Sequence, residues 1–196
     1  MVRHDPKSRP QTLERSATYA QAPLIMVARE VGHGRTTLVL TRDFAIGRDS
    51  VWRMLTDPDH LQRWAPYTAD RDLSRVGRCV LRMLGGDGEP EAEIPSVVLV
   101  ADSPALLEHS WASDMLAWNI STIGASSRLT LHQTLADETM ASANAAGWHL
   151  CLEIAAGVLA GEPVPPIRGM VAMEHGWHEL NERYATALGV APSQLG

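Results

Sequence analysis

The sequence is most informative first through what it lacks. No stretch approaches the 18 or so continuous apolar residues that a membrane-spanning helix needs, so no membrane partner is expected. Residues 1–20 are polar, and the apolar run Leu24–Ala28 is too short for a secretory h-region, so a cytoplasmic protein is expected and the sequon at Asn119–Ser121 goes unused. No basic stripe exists to neutralise phosphates: 17 Lys and Arg against 23 Asp and Glu leave a formal charge of −6, which argues against a nucleic-acid partner. There are only two cysteines, Cys79 and Cys151, at no metal-type spacing. A single disulfide is allowed by arithmetic, and buried reduced thiols are the expectation.

Catalytic signatures are missing too. The chain holds no Gly-x-Ser-x-Gly elbow, no phosphate-binding Gly-x-x-x-x-Gly-Lys loop and no Cys-x-x-Cys site, and no cofactor or metal is expected. His178 and Glu179 begin like a zinc-protease helix, but Glu182 stands where the second histidine belongs. His175 and His178 can face one way at i, i+3, yet two imidazoles without a third ligand make a poor metal site, and a solvated helix face is the expected reading. Gly85-Gly86-Asp87-Gly88 opens no helix, so it reads as a hairpin turn and not as a nucleotide loop.

What is present is a length of 196 residues, about one domain, with 45% apolar and 20% charged residues. Aromatic usage is skewed to six tryptophans and three tyrosines, with one phenylalanine. Tryptophan joins a large apolar body to one donor, so it suits half-wet cavity walls as well as cores. Residues 1–22 have no apolar periodicity and read as a mobile tail, leaving 23–190 as the domain. Pro23 to Gly34 reads either as an added edge strand or as a surface segment.

From Thr37 to Phe44, Leu38, Leu40, Arg42 and Phe44 share one face of a half-buried strand. A buried guanidinium must be paired, so Arg42 either meets an acid on a helix or anchors an anionic ligand, the former being favoured. Gly47 then caps a first short helix, and Asp57 caps a second with Pro58 at its first position. Leu61 and Trp64 fall on one side of it. Strands follow without intervening helices. Arg78–Leu84 presents Cys79, Leu81 and Met83. Glu91–Val100 carries Pro95, which implies a bulge or an edge. Leu106–Trp111, Ala117–Thr122 and Arg128–Leu135 complete an antiparallel meander. A helix over about Met140–Ala160 puts Trp148, Cys151, Leu152, Ala155, Val158 and Leu159 on one stripe, ending before Gly161. Gly147 and Gly157 inside it suggest close approach by a neighbour. After the stiff Pro163–Pro166 connector, an amphipathic helix carries Trp177, Leu180, Tyr184 and Leu188 to Gly189.

Several pieces in this order carry a resemblance: the strand ending Arg42-Asp43-Phe44, Val51-Trp52, Thr56-Asp57-Pro58, Leu61 with Trp64, Asp102-Ser103-Pro104, Leu129–His132 and Ala146-Gly147-Trp148-His149. Over about Arg35 to Gly189 the chain resembles the SRPBCC (START-like, helix-grip) superfamily, within it the branch of activator-of-Hsp90-ATPase homologues and polyketide cyclase-like proteins. The resemblance implies an α+β helix-grip fold: a curved antiparallel sheet wrapped around a long C-terminal helix, with a cavity between them for apolar or amphipathic molecules. It supplies no shared catalytic motif. The helix of about 170–189 exceeds the minimal unit; it is expected to cover the domain's own surface, a homodimer contact being the alternative.

The function this implies is binding of a hydrophobic or aromatic small molecule between sheet and helix. Strand alternation offers Met83, His109, Trp111, Trp118 and Leu131 as wall residues, and the helical stripe adds Trp148 and Leu152. A cyclase, aromatase or hydratase would draw its acid–base groups from His109, His149 or Tyr67. Structurally, His109 is expected to be satisfied by a neighbouring hydroxyl or carbonyl, and His149, about 100° round from Trp148, to flank the cavity. A chaperone-associated regulator is the third reading, and it would require an exposed apolar patch.

Overall fold

A computed structural model of the chain describes Tyr19, residues 21–32 and residues 34–194. Among the described residues, eight strands form one antiparallel sheet in the order β1-β2-β8-β7-β6-β5-β4-β3. They are β1 (Met26–Gly32), β2 (Arg35–Phe44), β3 (Tyr67–Ala69), β4 (Gly77–Leu84), β5 (Pro90–Asp102), β6 (Leu106–Trp111), β7 (Asp114–Ile123) and β8 (Ser126–Leu135). The segment 23–34 thus supplies an edge strand. The early strand β2 pairs with the last, β8, through a register running from Thr36↔Leu135 to Phe44↔Ser127.

Two short helices leave β2: α1 (Arg48–Thr56) and α2 (Pro58–Leu61). Gly47 sits extended at the start of α1 with no side-chain cap. Asp57 accepts the amides of Asp59 at 2.9 Å and His60 at 3.4 Å, the capping expected ahead of a proline at the first position. Pro95 lies on β5 beyond Val98, the last residue of that strand paired with β6, and the β5–β6 register shifts between Val98 and Val100. The missing amide of Pro95 therefore costs no ladder bond on that side.

The long helix α3 (Ala141–Leu159) follows a 3₁₀ turn at Glu138–Met140. It is not a one-sided amphipathic helix. Ala145, Ala146, Trp148, His149, Leu150 and Cys151 are all buried, so more than the expected stripe is covered. A helix enclosed on all sides needs a partner on each, and α5 (Trp177–Leu188) is the second one. The extra helix covers the domain itself, with α4 (Val171–Glu174) as its prelude. The chain then returns to clip the start of α3. Ser193 Oγ donates to the Thr139 carbonyl at 2.6 Å and accepts the Ala143 amide at 3.2 Å, while its own amide donates to Ser142 Oγ at 2.9 Å. A residue 50 positions downstream thus supplies the cap that Met140 cannot.

The expected ion pair of Arg42 is present: its guanidinium is forked onto Glu153 of α3, with Nη2 to Oε2 at 3.1 Å and Nη1 to Oε1 as the second arm. Both cysteines are free and buried. The expected tail lies outside the described residues over 1–18 and at position 20. Tyr19 packs against the core, and the Ala22 carbonyl accepts from Arg183 Nη2 at 2.9 Å. Among the described residues no helix is long and apolar enough to cross a membrane.

One expectation about α3 is corrected. A Cβ at Gly157 would meet Val164 at 2.9 Å, so the Pro-rich connector does approach closely there; at Gly147 nothing lies within 4 Å. Packing requires glycine only at the first of these positions. Gly147→Ala should therefore raise the free energy of unfolding by about 0.5–1 kcal/mol through helix propensity and chain entropy. Gly157→Ala should lower it, because Val164 must shift. Urea titrations of the two variants check the pair, and a destabilised Gly147→Ala would contradict this account of α3.

Candidate functional site

Four tryptophans from four different elements meet between the sheet and α3. Trp64, from the turn after α2, Trp118 on β7 and Trp148 on α3 are at most 2% exposed. Trp111, at the end of β6, is half-buried. Trp118 meets Trp148 edge-on at 5.2 Å and 87°, Trp111 meets Trp148 at 5.4 Å and 60°, and Trp64 meets Trp118 at 6.1 Å and 85°. Edge-to-face contacts of this kind put positive ring edges against negative faces. The centre of the grip is thus occupied by indole rings.

Each buried indole must also place its N–H. Trp64 Nε1 donates to the Met54 carbonyl at 3.0 Å. Trp148 Nε1 donates to Gln133 Oε1 at 2.8 Å; Gln133 Nε2 donates to Asp114 Oδ2 at 2.6 Å, and Asp114 Oδ1 accepts the Ala136 amide at 2.7 Å. Trp118 Nε1 donates to His109 Nε2 at 3.4 Å. Trp111 differs, since its N–H meets only the thioether of Met83, at 3.4 Å, a weak acceptor.

His109 is wholly buried, and its protonation follows from its neighbours. Nδ1 lies 3.0 Å from the Ser110 carbonyl, which can only accept, so Nδ1 carries the proton. Nε2 is then the bare nitrogen, and it receives both the Trp118 indole and the Tyr67 hydroxyl, the latter at 3.2 Å. Burial holds its pKa down to about 4 and pushes that of Tyr67 up. The imidazole is neutral and its lone pair already engaged, the satisfied state expected of a structural histidine.

His149 points away from this cluster, toward α5. Its Nδ1 lies 2.8 Å from the Tyr184 hydroxyl, which also accepts the Ile25 amide at 3.0 Å. Burial again lowers its pKa to about 4, against the pull of Glu153. Of the predicted wall residues, His109, Trp118, Leu131, Trp148 and Leu152 are therefore sealed in, whereas Met83 and Trp111 form a half-buried end beside Tyr67, whose ring lies 6.0 Å from Trp111. Among the described residues no three His, Cys, Asp or Glu side chains converge as a metal site. Surface clefts of about 430 Å³ (by Arg29, Glu138 and Ser193) and about 540 Å³ (by Asp49, Trp52 and Asp72) lie outside the grip.

Sequence reasoning missed two participants. Gln133 continues the alternation of Leu129 and Leu131 and was legible from it. Arg168, in the connector, is only 4% exposed, and donates through Nε to the Ala65 carbonyl at 2.7 Å and through Nη2 to the Gln62 carbonyl. Its partners lie more than 100 residues earlier, where no local pattern reaches.

This order of parts, with an antiparallel sheet closed around a long helix and two short helices after an early strand, defines a helix-grip protein of the SRPBCC superfamily. The chain belongs to the family of activator of Hsp90 ATPase homolog 1-like proteins, whose model matches residues 46–189. Solved structures with the same fold include the conserved protein of unknown function EF2215 from Enterococcus faecalis (17% identity, TM-score 0.63, covering 88% of this chain and 98% of that one). CalU16 from Micromonospora echinospora is similar at 19% identity and TM-score 0.59, covering 85% of this chain and 98% of its own. The BPP1335 product from Bordetella parapertussis gives 19% and 0.60, with 82% and 90% covered. No curated protein matches.

The two neutral imidazoles predict acid sensitivity. Above pH 6.5, their ordinary value, folded and unfolded chains both hold them uncharged. Below it the unfolded chain binds protons that the native rings refuse, so stability falls until about pH 4, by on the order of 3 kcal/mol for each ring. Urea titrations from about pH 7 to about pH 5 check this, and His109→Gln should remove part of the slope. A flat free energy of unfolding over that range would show that both rings charge in place.

Proposed function

We propose that the protein binds a hydrophobic or aromatic small molecule at the Trp111–Met83 end of the grip. The observation that carries the reading is the contrast along one aromatic cluster. Three indoles are sealed with well-acceptored N–H groups, while the fourth is half-buried and spends its N–H on a thioether. A ligand carbonyl or hydroxyl is a better acceptor than sulfur, and an aromatic body can extend the stack on Trp111 and Tyr67. Met83, unbranched and polarizable, is suited to move aside. A pocket of apolar wall with one orienting donor is the usual form of a small-molecule site, and the family's helix-grip fold supports the same reading. The sealed residues His109, Trp118, Leu131, Trp148 and Leu152 serve as the rigid wall behind the ligand.

Acid–base turnover at His109 is disfavoured, because its Nε2 lone pair is held by two donors and its pKa lies far below neutrality. Regulation of a chaperone would use the outer surface. There the large exposed apolar side chains, such as Val31, Leu99 and Met170, stand on separate elements.

Titration with N-phenyl-1-naphthylamine, a neutral dye that brightens in apolar sites, tests the proposal. A saturable signal is expected, weakened at least about fivefold in Trp111→Leu, the equivalent of losing roughly 1 kcal/mol of ring contact. The variant's melting temperature should stay within a few degrees, since Trp111 is half-exposed. A dye that never saturates, or one that Trp111→Leu leaves unchanged, would overturn it.

A further inference from the structure

Arg168 stands apart among the buried side chains. Of the described residues that are buried, it is the one with a permanent charge, and no carboxylate is buried with it. The ion pairs of Arg42 with Glu153, Arg82 with Glu93, Arg128 with Asp43 and Arg29 with Glu138 all lie at more exposed side chains, and none involves Arg168. Arg168 instead leans on two main-chain carbonyls just past α2, those of Gln62 and Ala65. These fix the fork in place and offset part of the desolvation cost by accepting two of its N–H groups. They do not neutralise it.

The third nitrogen, Nη1, donates to no described group. It faces the β4–β5 turn, where a Cβ on Gly88 would come to 4.0 Å from it. Gly86 is packed so closely under Val171 that a Cβ there would sit 2.6 Å from Cγ2. The connector and the glycine turn thus hold each other over the guanidinium without capping Nη1 by a side chain. Ala65, whose carbonyl holds Nε, lies two residues before Tyr67, and Met83, which pairs with Tyr67 and meets the Trp111 indole, lies two residues before the glycine turn that Nη1 faces. The uncompensated cation and the half-buried aromatic end belong to one corner of the grip.

We infer that Arg168 is a counter-ion site for the ligand, and that the protein selects aromatic molecules carrying an anionic group, a carboxylate or a comparable oxyanion, with the ring toward Tyr67 and Trp111 and the anion on Nη1. This rests on the ligand reading above and adds the ligand's charge to it. The guanidinium is already held by two carbonyls, so a bound anion gains a charge-assisted hydrogen bond without ordering a long side chain.

The test compares 2-naphthoate with 2-naphthamide, which share size and shape and differ in charge, by calorimetric titration of the full chain. Wild type is expected to bind the acid at least about tenfold more tightly than the amide. Arg168→Gln, which keeps a donor for the loop carbonyls, should bring the acid down to the level of the amide and leave the amide unchanged. Arg168→Lys should retain part of the preference. Equal affinities in wild type, or a preference that survives Arg168→Gln, would overturn the anion site while leaving the aromatic site standing. Binding of neither molecule would overturn both. Should neither variant fold, the acid-to-amide ratio of the wild-type protein decides alone.

Discussion

The structure depends on one requirement: α3 is apolar around nearly its whole circumference and must be buried around it. The sheet covers one side, and cannot cover the other. α5 exists in the fold to do so, and the polar groups at the junction are matched accordingly, with His149 on Tyr184 and Arg42 on Glu153. The same demand explains the C-terminal return, because the start of a buried helix leaves amides that water cannot reach. Ser193 satisfies one of them, the Ala143 amide, from the far end of the sequence.

A second constraint follows from filling the interior with tryptophan. Each indole brings one donor into a dry space, and each donor left unpaired would cost about 1–3 kcal/mol. Gln133, His109 and the Met54 carbonyl meet that need for Trp148, Trp118 and Trp64. Burial keeps His109 neutral, and the neutral ring accepts from two donors, so its place in the fold and its unsuitability as a base go together. Only at Trp111, where water begins to reach the ring, is the acceptor poor. In the proposed reading, structural chemistry gives way to ligand binding along this aromatic row.

Local rules made much of this legible. Asp57-Pro58, the alternating strands and the Gly85–Gly88 turn announce themselves within a few residues, and Arg42 on an apolar face announced its acid. β3 was invisible because three residues cannot display an alternation. The stripe assigned to α3 was incomplete because the second cover, α5, is chosen by tertiary contact. Gly147 and Gly157 look identical to helix propensity and differ only through Val164. Periodicity picked out the proposed wall residues as inward-facing; it reports burial and cannot tell a sealed wall from an open mouth. Arg168 carries no local signal at all; its meaning arises from carbonyls brought to it by the fold.

The central claim is that the grip is closed at its centre and receptive at the Trp111 end. The six indole N–H resonances of the protein report on that directly in a proton–nitrogen correlation spectrum. On titration with 2-naphthoate, the Trp111 Nε1 signal should shift progressively and saturate, as sulfur is replaced by a better acceptor or a stacked ring. Trp64 and Trp118 should stay in place. Shifts of Trp64 and Trp118 as large as that of Trp111 would place the ligand in the centre and contradict the account.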